Sequence, residues 1–190
     1  MQQLTLCISI MLFLSFNHAM SQTTGPVITI KGNTILLGRI SVSHLQQPPF
    51  NEWYAKEYAA YKPDSVVTDS LANLMAPYRF EIFLGTWCGD SKREVPRLMK
   101  ILDDMKVKPS SIDIISVGNN DTLYKQSPTH EESGKNIYRV PHLNIYRDGK
   151  EVGRIIETPV KSWEKDMLVI LTGLQNKPGR AQMLNSAKSR

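Results

Sequence analysis

The sequence predicts an α/β fold: a mixed β-sheet flanked by helices, with an N-terminal β-hairpin and helical extension. An apolar strand at 79–84 precedes an amphipathic helix at 88–105 and a buried strand at 112–117, an order that implies a parallel crossover. Later, Asp148-Gly149 separates two extended runs, which is a strong hairpin signal, and a helical pattern follows. The chain has 190 residues and 41% hydrophobic content, enough for one domain with a buried core.

Residues 1–21 are predicted to be a signal peptide. The segment 4–16 is almost wholly apolar and uncharged, yet short for a membrane span, and Ala19-Met20-Ser21 offers small residues for cleavage after Ser21. The segment lacks Lys and Arg, which leaves an uncleaved membrane anchor as the alternative. We therefore expect an exported protein, periplasmic or envelope-associated if bacterial, that contacts a membrane only if this segment is retained.

Residues 22–76 are predicted to form the N-terminal extension, which begins with a polar linker. Its predicted elements are strands at 27–30 and 34–40 and helices at 51–61 and 65–75. Gly32-Asn33 is the turn signal between the two strands. The first helix carries four aromatic side chains, which we expect to pack rather than to form a ligand cage: Trp53, Tyr54, Tyr58 and Tyr61.

Residues 77–174 are predicted to form the main domain. Beyond the strand–helix–strand unit, its predicted elements are strands at 143–146 and 151–156 and a helix at 162–174. Pro96 lies inside the helix at 88–105 and is expected to kink it. The polar stretch 119–136 is expected to be a connector, with at most a short helix around 129–136.

The distribution of charge and the spacing of histidines argue against a nucleic-acid partner and a metal site. The net charge is +5, and four of these charges lie in 175–190, which is predicted to be a basic, flexible tail. Because the rest of the chain is nearly neutral, we expect no nucleic-acid partner. His44 and His130 show no ligand spacing, so neither a metal site nor another cofactor is expected.

One pentapeptide, Trp87-Cys88-Gly89-Asp90-Ser91, lies between the strand at 79–84 and the helix. Pro96 follows five residues later in the helix, and Val140-Pro141 comes some fifty residues after the cysteine. In this order and spacing, residues 77–174 resemble the thioredoxin superfamily of the exported bacterial type. The family motif is Trp-Cys-x-x-Cys, so the second active-site cysteine is replaced here by Ser91.

The placement of Cys88 predicts a reactive thiol. Unpaired N–H groups and the dipole at a helix start favour an anion, and thus the nucleophilic thiolate. The charge of Asp90 opposes ionisation, whereas a hydrogen bond from Ser91 would favour it; Ser91 is alternatively a plain first-turn residue. Cleavage of the signal peptide would remove Cys7 and leave Cys88 as the only cysteine, without a partner for an internal disulfide.

The resemblance implies a substrate-binding surface around Cys88. Trp87 flanks the sulfur in the family, Gly89 allows close approach of a substrate backbone, and Asp90 lies beside them. Val140-Pro141 corresponds to the family's cis-proline loop, which faces the cysteine. His142 comes next and is expected to be an ordinary strand residue, or else an aid to proton transfer.

These observations predict a monothiol thioredoxin-like protein that takes part in thiol–disulfide exchange, by reduction or isomerisation, with exported proteins through Cys88. Its expected partners are cysteine-containing proteins and a small external thiol. The alternative is a non-catalytic binding module that holds or tethers partner proteins, so enzymatic activity stays open. Iron–sulfur binding, suggested by the similarity of Cys-Gly-Asp-Ser to the monothiol glutaredoxin motif, is disfavoured by the preceding Trp87 and the exported context.

Overall fold

The computed structural model describes residues 27–30 and 33–173, so the predicted signal peptide, the linker at 22–26 and the basic tail lie outside the described residues. The strands are β1 (Val27–Ile30), β2 (Asn33–Leu36), β3 (Gly38–Ile40), β4 (Tyr78–Leu84), β5 (Ile112–Ser116), β6 (His142–Arg147) and β7 (Lys150–Ile156). The helices are α1 (Val42–Leu45), α2 (Asn51–Ala60), α3 (Ser65–Ala72), α4 (Gly89–Asp104) and α5 (Trp163–Leu171), with a 3₁₀ turn at Pro109–Ser111.

The central sheet has five strands in the order β3-β5-β4-β6-β7, and β1 and β2 form a separate hairpin. Strands β4 and β5 run parallel and are connected through α4, while β3, β6 and β7 pair antiparallel with their neighbours. The Asp148-Gly149 turn has positive φ at both residues, as a tight hairpin turn requires. The predicted fold class, a mixed sheet flanked by helices with an N-terminal hairpin, is confirmed.

The predicted continuous strand at 34–40 is wrong, because the chain divides there into β2 and β3. Gly38 adopts a φ of +79°, a left-handed conformation that interrupts a strand and that glycine accepts without strain. Beyond this break, β3 pairs with β5 and is the outermost strand of the central sheet. Two buried hydroxyls bind Leu36 just before it: Thr86 Oγ1 accepts the Leu36 N–H at 3.1 Å, and Ser116 Oγ donates to the Leu36 carbonyl at 2.6 Å.

The aromatic residues of α2 pack against α4, as expected. Tyr54 is buried, its ring stacks on Tyr58, and the Tyr58 hydroxyl donates to Asp103 at 2.8 Å. An ion pair of 2.6 Å between Arg97 and Glu57 also joins the two helices. The N-terminal helical extension is therefore fastened to the helix that begins just after Cys88.

The connector at 119–136 contains turns, and the short helix that the sequence left open around 129–136 does not form. Local side chains occupy the backbone donors that a helix would use: the Ser127 N–H donates to Glu132 and the Glu131 N–H donates to Ser127 Oγ, both at 3.0 Å. Such side-chain bonds compete with helical hydrogen bonds. His130 and Gly134 also adopt positive φ within this stretch, which is incompatible with a continuous right-handed helix.

The core lies on both faces of the sheet. One face packs on α4, which runs without interruption through Pro96, and on α5. The other face carries a smaller apolar cluster that Trp87 and Cys88 contact: Phe83, Ile115, Val117, Ile137 and Val140. The smaller apolar cluster at the end of β4 therefore packs directly against Trp87 and Cys88.

Candidate functional site

Cys88 is the N-cap residue of the sixteen-residue helix α4. Its backbone is extended (φ −86°, ψ 127°), its carbonyl accepts the Lys92 N–H at 3.0 Å, and its own N–H donates to the Gly85 carbonyl at 2.9 Å. A tight turn thus joins β4 to α4 and places the cysteine where the first helical N–H groups lack intrahelical partners. Cys88 is half-buried and is the only free cysteine among residues 27–30 and 33–173.

The sulfur of Cys88 lies beside the Val140-Pro141 loop. Its thiol donates to the Val140 carbonyl across 3.4 Å. The bond between Val140 and Pro141 is cis, as expected. Two residues that are 52 positions apart in the chain are therefore in contact at the Cys88 sulfur.

Ser91 is fully buried and faces the turn before the helix. Its Oγ accepts the Gly85 N–H at 3.2 Å, which makes it a structural partner of the β4–α4 turn. Among the hydrogen bonds of the described segments, none joins Ser91 to the Cys88 sulfur, so the expected bond to the thiolate is not formed here. Ser91 and Cys88 thus each form a hydrogen bond with the backbone of Gly85.

Asp90 and Gly89 lie at the open side of the site. The Asp90 carboxylate accepts from Arg93 at 2.8 Å, and Arg93 also pairs with Glu94 at 2.6 Å. Asp90 is thus not an isolated negative charge next to the thiol. Gly89 is exposed, and a Cβ placed on it would meet no atom within 4 Å, so an approaching chain has room there.

Trp87 is held in a defined orientation. Its indole Nε1 donates to the Val117 carbonyl at 2.8 Å, just beyond the end of β5. Its ring lies over Gly85 so closely that a Cβ on that glycine would be 2.5 Å from the indole Cε2. The absence of a side chain at Gly85 is therefore what permits this position of the indole.

Replacing Gly85 with alanine is expected to displace the Trp87 ring and to destabilise the protein by about 1–3 kcal/mol, the usual cost of overpacking. Urea denaturation would measure this loss. The matched control is Gly89→Ala, which adds the same methyl group into open space and is expected to leave the free energy of unfolding nearly unchanged. Equal losses in the two variants would contradict the packing argument.

A buried polar network lies on the face of the sheet that carries Phe83. Glu81, in β4, accepts hydrogen bonds from Lys135, from Asn144 at 3.4 Å and from Tyr146 at 3.1 Å. Burial and the nearby Glu81 charge raise the pKa of Tyr146 to about 12, so its hydroxyl remains a donor. Sequence reasoning missed Glu81, whose only sequence signal is an acidic residue inside an apolar strand. In the structure, Glu81 pairs in register with Asn144.

His142 extends this network towards the Val140-Pro141 loop. Its Nε2 lies 2.9 Å from Asn144 Oδ1, and it is fully buried. Because Asn144 donates its amide to Glu81, its oxygen is the acceptor, so His142 Nε2 carries the proton and Nδ1 is an unpartnered acceptor. Burial, reinforced by the Arg154 charge, lowers the pKa of His142 to about 4.

An ion pair borders the loop on its other side. Arg139 binds Glu157 at 2.7 Å, and the Glu157 N–H donates to the Pro141 carbonyl at 2.7 Å. Glu157 has a φ of +61°, a left-handed conformation that is uncommon for a residue other than glycine. The loop is thus held from the end of β7 as well as from the helix.

The described part of the chain offers neither a cluster of metal ligands nor a membrane-spanning helix. Within 27–30 and 33–173, no group of three or more His, Cys, Asp or Glu side chains is arranged to hold a metal ion. In the same segments, no helix has the length and apolar character needed to cross a membrane.

No family model matches the chain, and no curated protein is significantly similar to it. Among solved structures, a protein of unknown function from Pseudomonas aeruginosa is 14% identical, with a TM-score of 0.43 over 65% of this chain and 80% of that one. Thioredoxin f2 from Chlamydomonas reinhardtii is 19% identical, with a TM-score of 0.34 over 62% of this chain and 96% of that one. Such likenesses concern the fold alone and assign no activity.

Proposed function

We propose that this protein is a monothiol thioredoxin-like protein that exchanges disulfides with other proteins through Cys88. The observation that carries the proposal is the position of one sulfur: half-buried, at the N-cap of α4, and 3.4 Å from the Val140 carbonyl. A helix N-terminus favours the thiolate, which is the form that attacks a disulfide.

The exchange step needs no added oxidant, because the partner disulfide accepts the electron pair. The Cys88 thiolate attacks one sulfur of a partner disulfide; a bond forms between the two sulfurs, the partner's S–S bond breaks, and its second sulfur leaves as a thiolate. The product is a mixed disulfide on Cys88. Ser91 occupies the place of a resolving thiol, and its hydroxyl does not attack disulfides.

Release of the partner therefore needs a thiol from outside the chain. In isomerisation, the partner's own thiolate attacks the partner sulfur of the mixed disulfide and expels Cys88 as a thiolate. In reduction, a small external thiol attacks the Cys88 sulfur and releases the partner thiolate; a second such thiol then frees Cys88 and leaves the small thiol as its disulfide. The proposed partners are exported cysteine-containing proteins.

The surroundings of Cys88 supply a place for the partner chain. We assign Trp87 as one wall, Gly89 as the open approach, and Val140-Pro141 as the opposing segment. Asp90 is proposed to face the partner from the first turn of α4, where its charge is balanced by Arg93. These roles rest on the geometry around the sulfur and on the family resemblance.

A binding module is the second candidate, favoured by one contact. The thiol donates to the Val140 carbonyl, and a hydrogen bond made by the neutral form opposes ionisation. A thiol that stays protonated would hold partners without exchanging disulfides. Turnover separates the two candidates, because only the exchange protein reduces a protein disulfide repeatedly when a small thiol is supplied.

A trapping experiment tests the missing resolving thiol. Wild-type protein is mixed with a peptide whose only cysteine is joined in a disulfide to thionitrobenzoate, so that the peptide has no second thiol and the leaving thiol is a weak nucleophile; the mixture is then quenched by alkylation and examined by mass spectrometry. We expect a one-to-one adduct on Cys88 that persists until a small thiol is added. In Ser91→Cys the adduct should be short-lived, because the new thiol lies in the first turn of the helix that Cys88 caps and can attack the mixed disulfide.

The control for this variant is Ser91→Ala, which removes the same hydroxyl without adding a thiol. It should keep the long-lived adduct of the wild-type protein, even if the lost Gly85 contact lowers its stability. Failure of the folded wild-type protein to form any adduct would contradict exchange chemistry and favour the binding module.

A further inference from the structure

The segment before Val140-Pro141 and the strand after it converge on one carboxylate. Glu81 is only 8% exposed. One of its oxygens, Oε1, accepts from Lys135, which precedes Val140 by five residues. The other, Oε2, accepts from Asn144 and Tyr146, which lie in β6 directly after the loop.

Two more contacts tighten this arrangement around the loop. The Lys135 carbonyl accepts from Arg154 of β7 at 3.1 Å, so the lysine is fixed by both its backbone and its side chain. Asn144, oriented by Glu81, accepts from His142, the residue that follows Pro141. The polar chain from Glu81 therefore ends at the residue next to the loop.

We propose that Glu81 is a positioning residue that holds the Val140-Pro141 loop from both sides and so keeps the Val140 carbonyl at the Cys88 sulfur. It does not touch the sulfur and acts only through the loop. The importance of this role rests on the proposed function, because a displaced loop would bind a partner chain poorly. The contacts of Glu81 with Lys135, Asn144 and Tyr146 do not depend on that function.

Alkylation of Cys88 by iodoacetamide tests the proposal without a protein substrate. In Glu81→Gln the ion pair with Lys135 is lost, so the Val140-Pro141 loop should become more mobile. The Val140 carbonyl should then move away from the Cys88 thiol. Loss of this weak hydrogen bond to the neutral thiol should raise the alkylation rate at neutral pH by roughly two- to fivefold. The pH profile of alkylation should shift towards lower pH.

The matched control is Glu164→Gln. Glu164 is a similarly buried carboxylate, 3% exposed, and accepts hydrogen bonds from the Tyr61 hydroxyl at 2.9 Å and the Asp64 N–H at 3.2 Å, both outside the network around Glu81. This control variant should show the same pH profile of Cys88 alkylation as the wild-type protein. Equal shifts in both variants, or a wild-type profile in folded Glu81→Gln, would overturn the proposal.

A second variant covers the case in which Glu81→Gln does not fold. Tyr146→Phe removes one of the three hydrogen bonds to Glu81 and keeps both the ring and the ion pair with Lys135, so it should fold and produce a smaller shift in the same direction. A wild-type alkylation profile in folded Tyr146→Phe would also overturn the proposal. Absence of exchange activity in the wild-type protein would refute the proposed function but leave this comparison intact.

Discussion

Replacing Cys88 with serine is expected to abolish disulfide exchange. The serine hydroxyl does not attack a disulfide, so no mixed disulfide should form and reduction of a protein disulfide should fall to the rate of the small thiol alone. Because Cys88 is only half-buried, the change should alter the free energy of unfolding by less than about 1 kcal/mol. Turnover with and without the small thiol measures the first effect, and urea denaturation the second.

A Ser91→Ala variant serves as the activity control, because it alters the same turn but keeps the thiol. It should retain adduct formation. Turnover that survives in Cys88→Ser would show that the activity belongs to another group or to a contaminant, and the exchange proposal would then fail.

The largest pH effect on stability is expected from His142. Its pKa is near 6.5 in an unfolded chain and about 4 in the folded protein, so between these values the unfolded state binds a proton that the folded state does not. Stability is therefore fully present above about pH 6.5 and falls as pH drops towards 4, by about 3 kcal/mol in total. Urea denaturation at a series of pH values measures this slope.

In His142→Gln the slope in this pH window should become shallower, whatever the absolute stability of the variant. Carboxylates also titrate in this range, but they are common to both proteins, so the difference in slope isolates His142. The control is His130→Gln, since the His130 side chain is 60% exposed. An unchanged slope in His142→Gln would show that the buried imidazole is not responsible.

Much of the fold was predictable because its signals are local. Strand and helix periodicities identified β4, α4 and β5, and Asp148-Gly149 identified the β6–β7 turn. The division of the predicted strand at 34–40 was not predictable from periodicity, because the break is a left-handed φ at Gly38 and the two halves pair with different strands, β1 and β5. The absence of a helix at 129–136 reflects side-chain hydrogen bonds that a periodic sequence pattern does not reveal.

The candidate site was predictable in part. The pentapeptide located Cys88 and its neighbours, and Val140-Pro141 was correctly expected to meet the sulfur. The role of Glu81 was not predictable, because a single acidic residue in an apolar strand does not reveal which polar side chains will surround it. Its hydrogen bond to Asn144 depends on the pairing of two strands and joins residues 63 positions apart, which a single sequence does not reveal.

The pairing of β3 with β5 has a consequence for shortening this protein. A chain cut at residue 77, the boundary that the sequence suggests, would lose β3 and leave the backbone donors and acceptors of β5 open. It would also strip Thr86 and Ser116 of their bonds to Leu36. Unprotected edge strands promote aggregation, so residues 33–40 protect the β5 edge of the sheet.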